Sequence, residues 1–293
     1  MIFTMIIKKR KKRKFFCYKN VFLLFLMSAI YFEGITQQLV NGTHATQDYI
    51  NFLISNLNAE SENTIEKENV SLSLSIFILK DEEGELNISR DSILNAVNTL
   101  NEYFSPIGIT FNILSIKEVE NYNYNIFQSE KLIDELTTKH STTKTINIYL
   151  VELININSEI IYGLTYLPDN TNKDYIFLIK SFMNGSTLSQ QMGHYFGLLS
   201  THDTVAAIEL VNGSNCQNSG DLICDTYADP DLTEKVDTSC HYTGYDMDPF
   251  GAFYVPSVAN IMSSSLPECR CVFTKGQYKR MLYYYLYHRN YLR

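Results

Sequence analysis

The chain predicts an α+β fold: a mixed, twisted sheet of four or five strands with a backing helix, a short polar helix after the last strand, and an irregular disulfide-containing C-terminal lobe that ends in a helix. Three observations predict it. Short alternating or continuous apolar runs recur between residues 71 and 179, interleaved with segments of helical apolar spacing. Five of the six cysteines (Cys216, Cys224, Cys240, Cys269 and Cys271) fall in the last third of the chain. The 293 residues are 45% hydrophobic, enough for one sizeable core.

Residues 8–14 read KKRKKRK and are followed by an apolar run over 21–32, the layout of a secretory signal with a basic head and a short hydrophobic stretch. The run is too short for a comfortable membrane span. A cleavage site near Gly34 is expected, and the alternative is an uncleaved signal anchor, because no A-x-A-like site is present. The domain reading is therefore a signal segment at 1–34, a polar lead-in at 35–69 and one domain over 70–293. The lead-in is rich in Asn and Glu and reads as a spacer or a loosely packed segment before the core. Residues 35–293 carry 16 Lys or Arg against 31 Asp or Glu, a net charge of −15. Such a surface repels phosphate backbones and anionic lipid, so neither nucleic acid nor a membrane beyond the export signal is expected as a partner.

Within the domain, residues 71–80 (SLSLSIFILK) alternate and then become continuously apolar, as a strand entering a core does. Residues 89–104 place Ile93, Leu94, Val97, Leu100 and Phe104 on one helical stripe, with Ser89 or Asp91 as the cap. Strands are expected over 107–116, 145–153, 160–167 and 174–179, with a short helix over 130–140. Residues 188–202 form a short helix capped by Ser186 or Thr187 and stopped at Gly197, the left-handed C-cap position. Residues 274–291 form a terminal helix that turns Met281, Leu282, Tyr285 and Leu286 inward. Export fits a disulfide framework for the five late cysteines. Five is odd, so one thiol is left over, and the spacings lack the paired C-x-x-C units of a zinc knuckle.

Gln190 and His194 lie one turn apart on the same face of the 188–202 helix, with Gln191 beside them. That is the frame of the zinc-protease pattern H-E-x-x-H, in which two imidazoles hold the metal and a carboxylate acts on its water. The stretch resembles the extended motif H-E-x-x-H-x-x-G-x-x-H in the form used by the pappalysin family of metzincin zinc peptidases. Gly193, His194, Gly197, Leu198 and Thr201 match it. Residues 216–230 (CQNSGDLICDTYADP) and 260–281 (NIMSSSLPECRCVFTKGQYKRM) resemble the family's later motifs, the second including its Met-turn. The likeness runs over about residues 70–293 and implies a metzincin-type zincin fold, with Met262 as the Met-turn methionine.

On that alignment Gln190 stands at the first zinc histidine, Gln191 at the general-base glutamate and Ser200 at the third histidine, while Ser264 stands where the family has a tyrosine. Only His194 keeps a zinc-ligand imidazole. An amide oxygen is a poor zinc donor, and an amide cannot take the proton that a general base must take. His202 and Asp203 are the residues that could rebuild the site. The expectation is a pseudo-peptidase that keeps a polypeptide-binding cleft and needs no zinc. The alternatives are a divergent zinc endopeptidase and a structural or decoy partner of an active relative. His194 is then a core histidine held by Gln190 or Gln191, and His44, His140, His241 and His288 are surface residues. Asp221, Asp225 and Thr226 form an oxygen-rich run suited to calcium, which the resemblance also implies, or to simple turn capping. Asn41, Asn69, Asn87, Asn184 and Asn212 head N-x-Ser/Thr triplets, acceptors for N-glycosylation in a eukaryotic host.

Overall fold

A computed structural model describes residues 40–62, 69–127, 129–156, 159–168 and 173–292; the signal segment and Cys17 lie outside them. The strands are β1 (Val40–Asn41), β2 (Val70–Leu79), β3 (Ile109–Val119), β4 (Ile126–Phe127), β5 (Ile146–Val151), β6 (Leu153–Ile156), β7 (Glu159–Thr165) and β8 (Tyr175–Ile179). The helices are α1 (Gln47–Glu62), α2 (Arg90–Phe104), α3 (Glu130–Lys139), α4 (Gly185–Tyr195) and α5 (Lys275–His288). None of the described helices is long and apolar enough to cross a membrane.

The sheet runs β3-β2-β5-β8-β7-β6-β4, with β1 beside β7. The expected four or five strands become eight among the described residues. The additional ones are β1 and β4, two residues each, and β6, four residues, all shorter than a period-2 pattern needs to declare itself. β2, β3, β5 and β8 are mutually parallel, and β7 runs antiparallel to β8. Because parallel strands are covered on both faces, β2 changes from alternation to a continuously apolar run as it enters the core. Leu72, Leu74, Ile76 and Ile78 face α2, α4 and α5, whereas Phe77 and Leu79 face the other side, where Ile133 and Leu136 of α3 pack.

Residues 40–62 are not a spacer. β1 pairs with β7, and α1 places Tyr49, Ile50 and Leu53 against Leu199, Leu222, Tyr283 and Tyr284. Its stripe is too narrow to stand out in an Asn-rich stretch. α2 starts after Ser89, whose hydroxyl accepts from the Ser92 N–H. α4 is capped by Asn184 rather than by Ser186 or Thr187: Asn184 Oδ1 accepts from the Thr187 N–H at 3.0 Å. α5 opens on a Thr274–Gln277 capping box and buries Met281, Leu282 and Tyr285, and also Tyr283 and Tyr284. His288 is not a surface residue; it is half-buried and stacks on Tyr284 at 5.0 Å.

Disulfides join Cys216 to Cys224 and Cys240 to Cys269. The expected leftover thiol is not found, since none of the described cysteines is free.

Candidate active site

From Ser186 to Tyr195 every side chain of α4 is buried. A helix buried all round has no water to satisfy its polar groups, so each must find a partner inside the protein. Two glycines let the frame close. A Cβ on Gly193 would come 2.6 Å from Met262 Sδ, so the helix lies directly on the methionine expected there. Gly197 has φ +87°, the left-handed conformation expected of the C-cap, and a Cβ there would sit 2.7 Å from the Tyr284 ring.

His194 is held neither by Gln190 nor by Gln191. Its Nδ1 lies 2.8 Å from the Leu198 carbonyl and its Nε2 lies 2.6 Å from Asn41 Nδ2. A carbonyl only accepts, so Nδ1 carries the proton and Nε2 accepts from the Asn41 amide; the imidazole is neutral. Burial, helped by His202, His44 and Arg270, pushes its pKa down to about 3. Asn41 Oδ1 accepts in turn from Gln191 Nε2 at 3.2 Å, and Gln191 Oε1 accepts from the Thr165 hydroxyl at 2.7 Å.

Gln190 is saturated by other partners. Its Nε2 donates to the Ser263 carbonyl at 3.0 Å, while its Oε1 accepts from the Tyr162 hydroxyl at 2.8 Å and from Arg270 Nη1. Ser264 accepts from the Leu232 N–H at 2.7 Å and donates to Asp231 at 2.5 Å, so it fastens the loop at 231–232.

Gln190, Ser200, His202, Asp203, Ser264, Ser265 and Arg270 line one cavity of about 600 Å³. His202 Nδ1 has no hydrogen-bond partner among the described residues, and the Asp203 carboxylate accepts from the Val205 N–H at 2.9 Å. Among the described residues no three His, Cys, Asp or Glu side chains converge where they could hold a metal ion, so His202 and Asp203 do not complete a trio with His194.

The Asp221, Asp225 and Thr226 group divides. Asp225 caps α5, accepting from the Thr274 hydroxyl at 2.7 Å and the Gly276 N–H at 2.8 Å. Asp221 is 1% exposed; its Oδ1 accepts from the Thr226 hydroxyl and the Ile223 N–H, and its Oδ2 has no partner among the described residues. The residue beside it is Glu209, which is 6% exposed and whose Oε2 would lie 2.4 Å from a Cβ on Gly220. Burial and the neighbouring carboxylates Asp221 and Asp229 raise the Glu209 pKa to about 8, and burial raises that of Asp221 to about 7.

Sequence reasoning missed Asn41, Tyr162, Thr165, Glu209 and Arg270. Glu209 alone left a trace, a single acid in the apolar run 208–211. Asn41 and Asn184, which the sequence offers only as glycosylation acceptors, both have side chains engaged in structural hydrogen bonds.

No family model matches the protein. An extracellular metalloprotease of Sordaria macrospora is 26% identical over 214 residues, covering 69% of this chain and 69% of that protein. One from Arthroderma benhamiae is 25% identical over 244 residues, covering 76% of this chain and 83% of the relative. Among solved structures, a promirolysin mutant of Tannerella forsythia superposes with a TM-score of 0.54 at 15% identity, over 84% of this chain and 90% of that one. Mirolysin in complex with a compound gives 0.51 at 18% identity, over 74% and 91%. The protein therefore shares the fold of those two.

Proposed function

We propose that the protein is a secreted, non-catalytic homologue of pappalysin-type zinc endopeptidases that binds a polypeptide in its cleft without cutting it. The observation that carries this reading is that the atoms a zinc ion would need are already spoken for. Both lone pairs of Gln190 Oε1 are used, one of them by a cation, and the Nε2 lone pair of His194 is used by Asn41. Ser200 offers only a hydroxyl. A catalytic zinc needs three converging donors and an open position for water, and these residues do not fit it. Gln191 cannot supply the proton transfer that contributes roughly 10² to 10⁴-fold in typical enzymes.

Secretion is supported by the basic and apolar segment within residues 8–32 and by relatives that are named extracellular. The polypeptide is inferred from the peptidase fold and the cavity. Calcium is a further part of the proposal: it would draw on the buried carboxylates of Asp221, which has an oxygen without a partner among the described residues, and Glu209, because Asp225 is engaged at the start of α5.

The second reading, a divergent zinc endopeptidase, draws on the metalloprotease names of the relatives. Elemental analysis of the purified secreted protein separates the two. Less than a tenth of an equivalent of zinc and no cleavage of a peptide library is the expected result; one equivalent of zinc with chelator-sensitive cleavage overturns it. The triple variant Gln190→His, Gln191→Glu, Ser200→His is expected to take up zinc well only when Arg270→Ala is added, because the guanidinium otherwise touches the new ligand.

A further inference from the structure

Arg270 is 2% exposed, and every partner of its guanidinium is neutral: Gln190 Oε1, Thr187 Oγ1 at 3.1 Å, and the Tyr162 hydroxyl. Its Nε–H has no partner among the described residues. Of the other two buried arginines near the C-terminal end, Arg289 pairs with Asp174 and Arg280 donates to the Asp221 and Leu222 carbonyls, whereas Arg270 has no carboxylate within ion-pair distance among the described residues. A buried charge without a counter-charge is costly and is kept only where something offsets it. Arg270 lines the 600 Å³ cavity, and the lining includes two residues with a further buried polar atom that has no partner among the described residues, Ser265 Oγ and His202 Nδ1. All three can act as donors.

Acidic residues also line this cavity, and among the described residues none of them is paired with the guanidinium. Asp231 already accepts from the Ser264 hydroxyl and the Thr233 N–H, and Asp203 from the Val205 N–H. Glu159 and Glu234 are exposed, where water and salt screen a charge within about 10 Å. A guanidinium shielded from water pulls harder on a carboxylate that reaches it than an exposed one does, and the Arg270 Nε–H is the donor left for it.

We propose that the cavity takes a carboxylate of its polypeptide ligand against Arg270, with Ser265 as a second donor. This rests on the non-catalytic, polypeptide-binding reading above and names the chemistry that the cleft selects. The carboxylate comes either from the ligand's free C-terminus or from an Asp or Glu side chain within it.

Three pools of N-acetylated hexapeptides test it on the intact secreted protein. One has a free C-terminus and no acidic residue, one is the same pool amidated, and one is amidated with a single Asp or Glu. Binding is read by titration, together with the NMR signal of the Arg270 Nε–H. At least one carboxylate pool is expected to bind ten-fold or more tighter than the neutral pool and to shift that signal; which pool does so identifies the source. Arg270→Gln is expected to bring all pools to the neutral level, and Ser265→Ala to weaken the preferred pool several-fold. Should Arg270→Gln fail to fold by circular dichroism, Arg270→Lys and Ser265→Ala carry the test, both weakening only the carboxylate pool. Equal binding of all pools, no binding, or a preference indifferent to these substitutions overturns the inference. Zinc content of the same preparation is measured separately: zinc with cleavage removes the non-catalytic reading, whereas a zinc-free protein without carboxylate preference removes only this inference.

Discussion

Asn41 joins the His194 imidazole to a second residue of the same helix, donating to His194 Nε2 and accepting from Gln191 Nε2. Both partners are 1% exposed or less, so Asn41→Ala leaves one acceptor and one donor buried and unpaired. The expected cost is about 1 to 3 kcal/mol, read as a lower urea midpoint at unchanged slope. A loss within a few tenths of a kcal/mol would mean that water or another side chain already satisfies both atoms. At this scale the sequence was legible in part. Gly193, Gly197 and Met262 could be placed because each position is set by backbone spacing or close contact within a motif. The partners of Gln190 and His194 could not, because Asn41 lies 153 residues from His194 and Arg270 lies 80 from Gln190. No local pattern encodes a contact of that range.

Elements with a full period of apolar residues were readable: β2, β5, α2 and α5 fall close to their expected positions. Those that borrow their stability from neighbours were not. β1 is two residues long and persists because β7 offers it an edge: the Gly42 N–H donates to the Gly163 carbonyl at 2.9 Å, and Thr43 Oγ1 accepts from the Thr165 N–H. The C-terminal lobe between α4 and α5 has only isolated bridges and leans on its disulfides. Cys240 and Cys269 close a 29-residue separation and Cys216 and Cys224 one of 8, so loop entropy gives the longer link the larger effect, roughly 3.6 against 2.6 kcal/mol. Replacing each pair by alanine and comparing thermal midpoints checks the order. A larger loss from the shorter link would mean that contacts around residues 216–224, rather than loop entropy, set its contribution.

For the whole molecule, two sets of buried groups pull stability in opposite directions with pH. The His194 pKa is lowered from 6.5 to about 3, so its contribution is present above pH 6.5 and is lost as the pH falls from there towards 3. Glu209 and Asp221 are raised to about 8 and about 7, so theirs is present at low pH and is lost as the pH rises through those values. A hard cation between the two carboxylates would remove the second loss. Calcium at millimolar concentration is therefore expected to raise the thermal midpoint at pH 8 and hardly at all at pH 5, and Glu209→Gln to abolish the gain. An equal shift at both values, or none, rules the site out. By itself the sequence determined a mixed helix-and-sheet protein, the helix that carries residues 190–194, the glycines and methionine that let it pack, and the polar side chains along it. Only the tertiary structure decided what those side chains bond to. Residue type is written locally, but a buried polar atom takes its partner from whichever segment the fold brings within about 3 Å, and here those segments are β1, β7 and the stretch before α5.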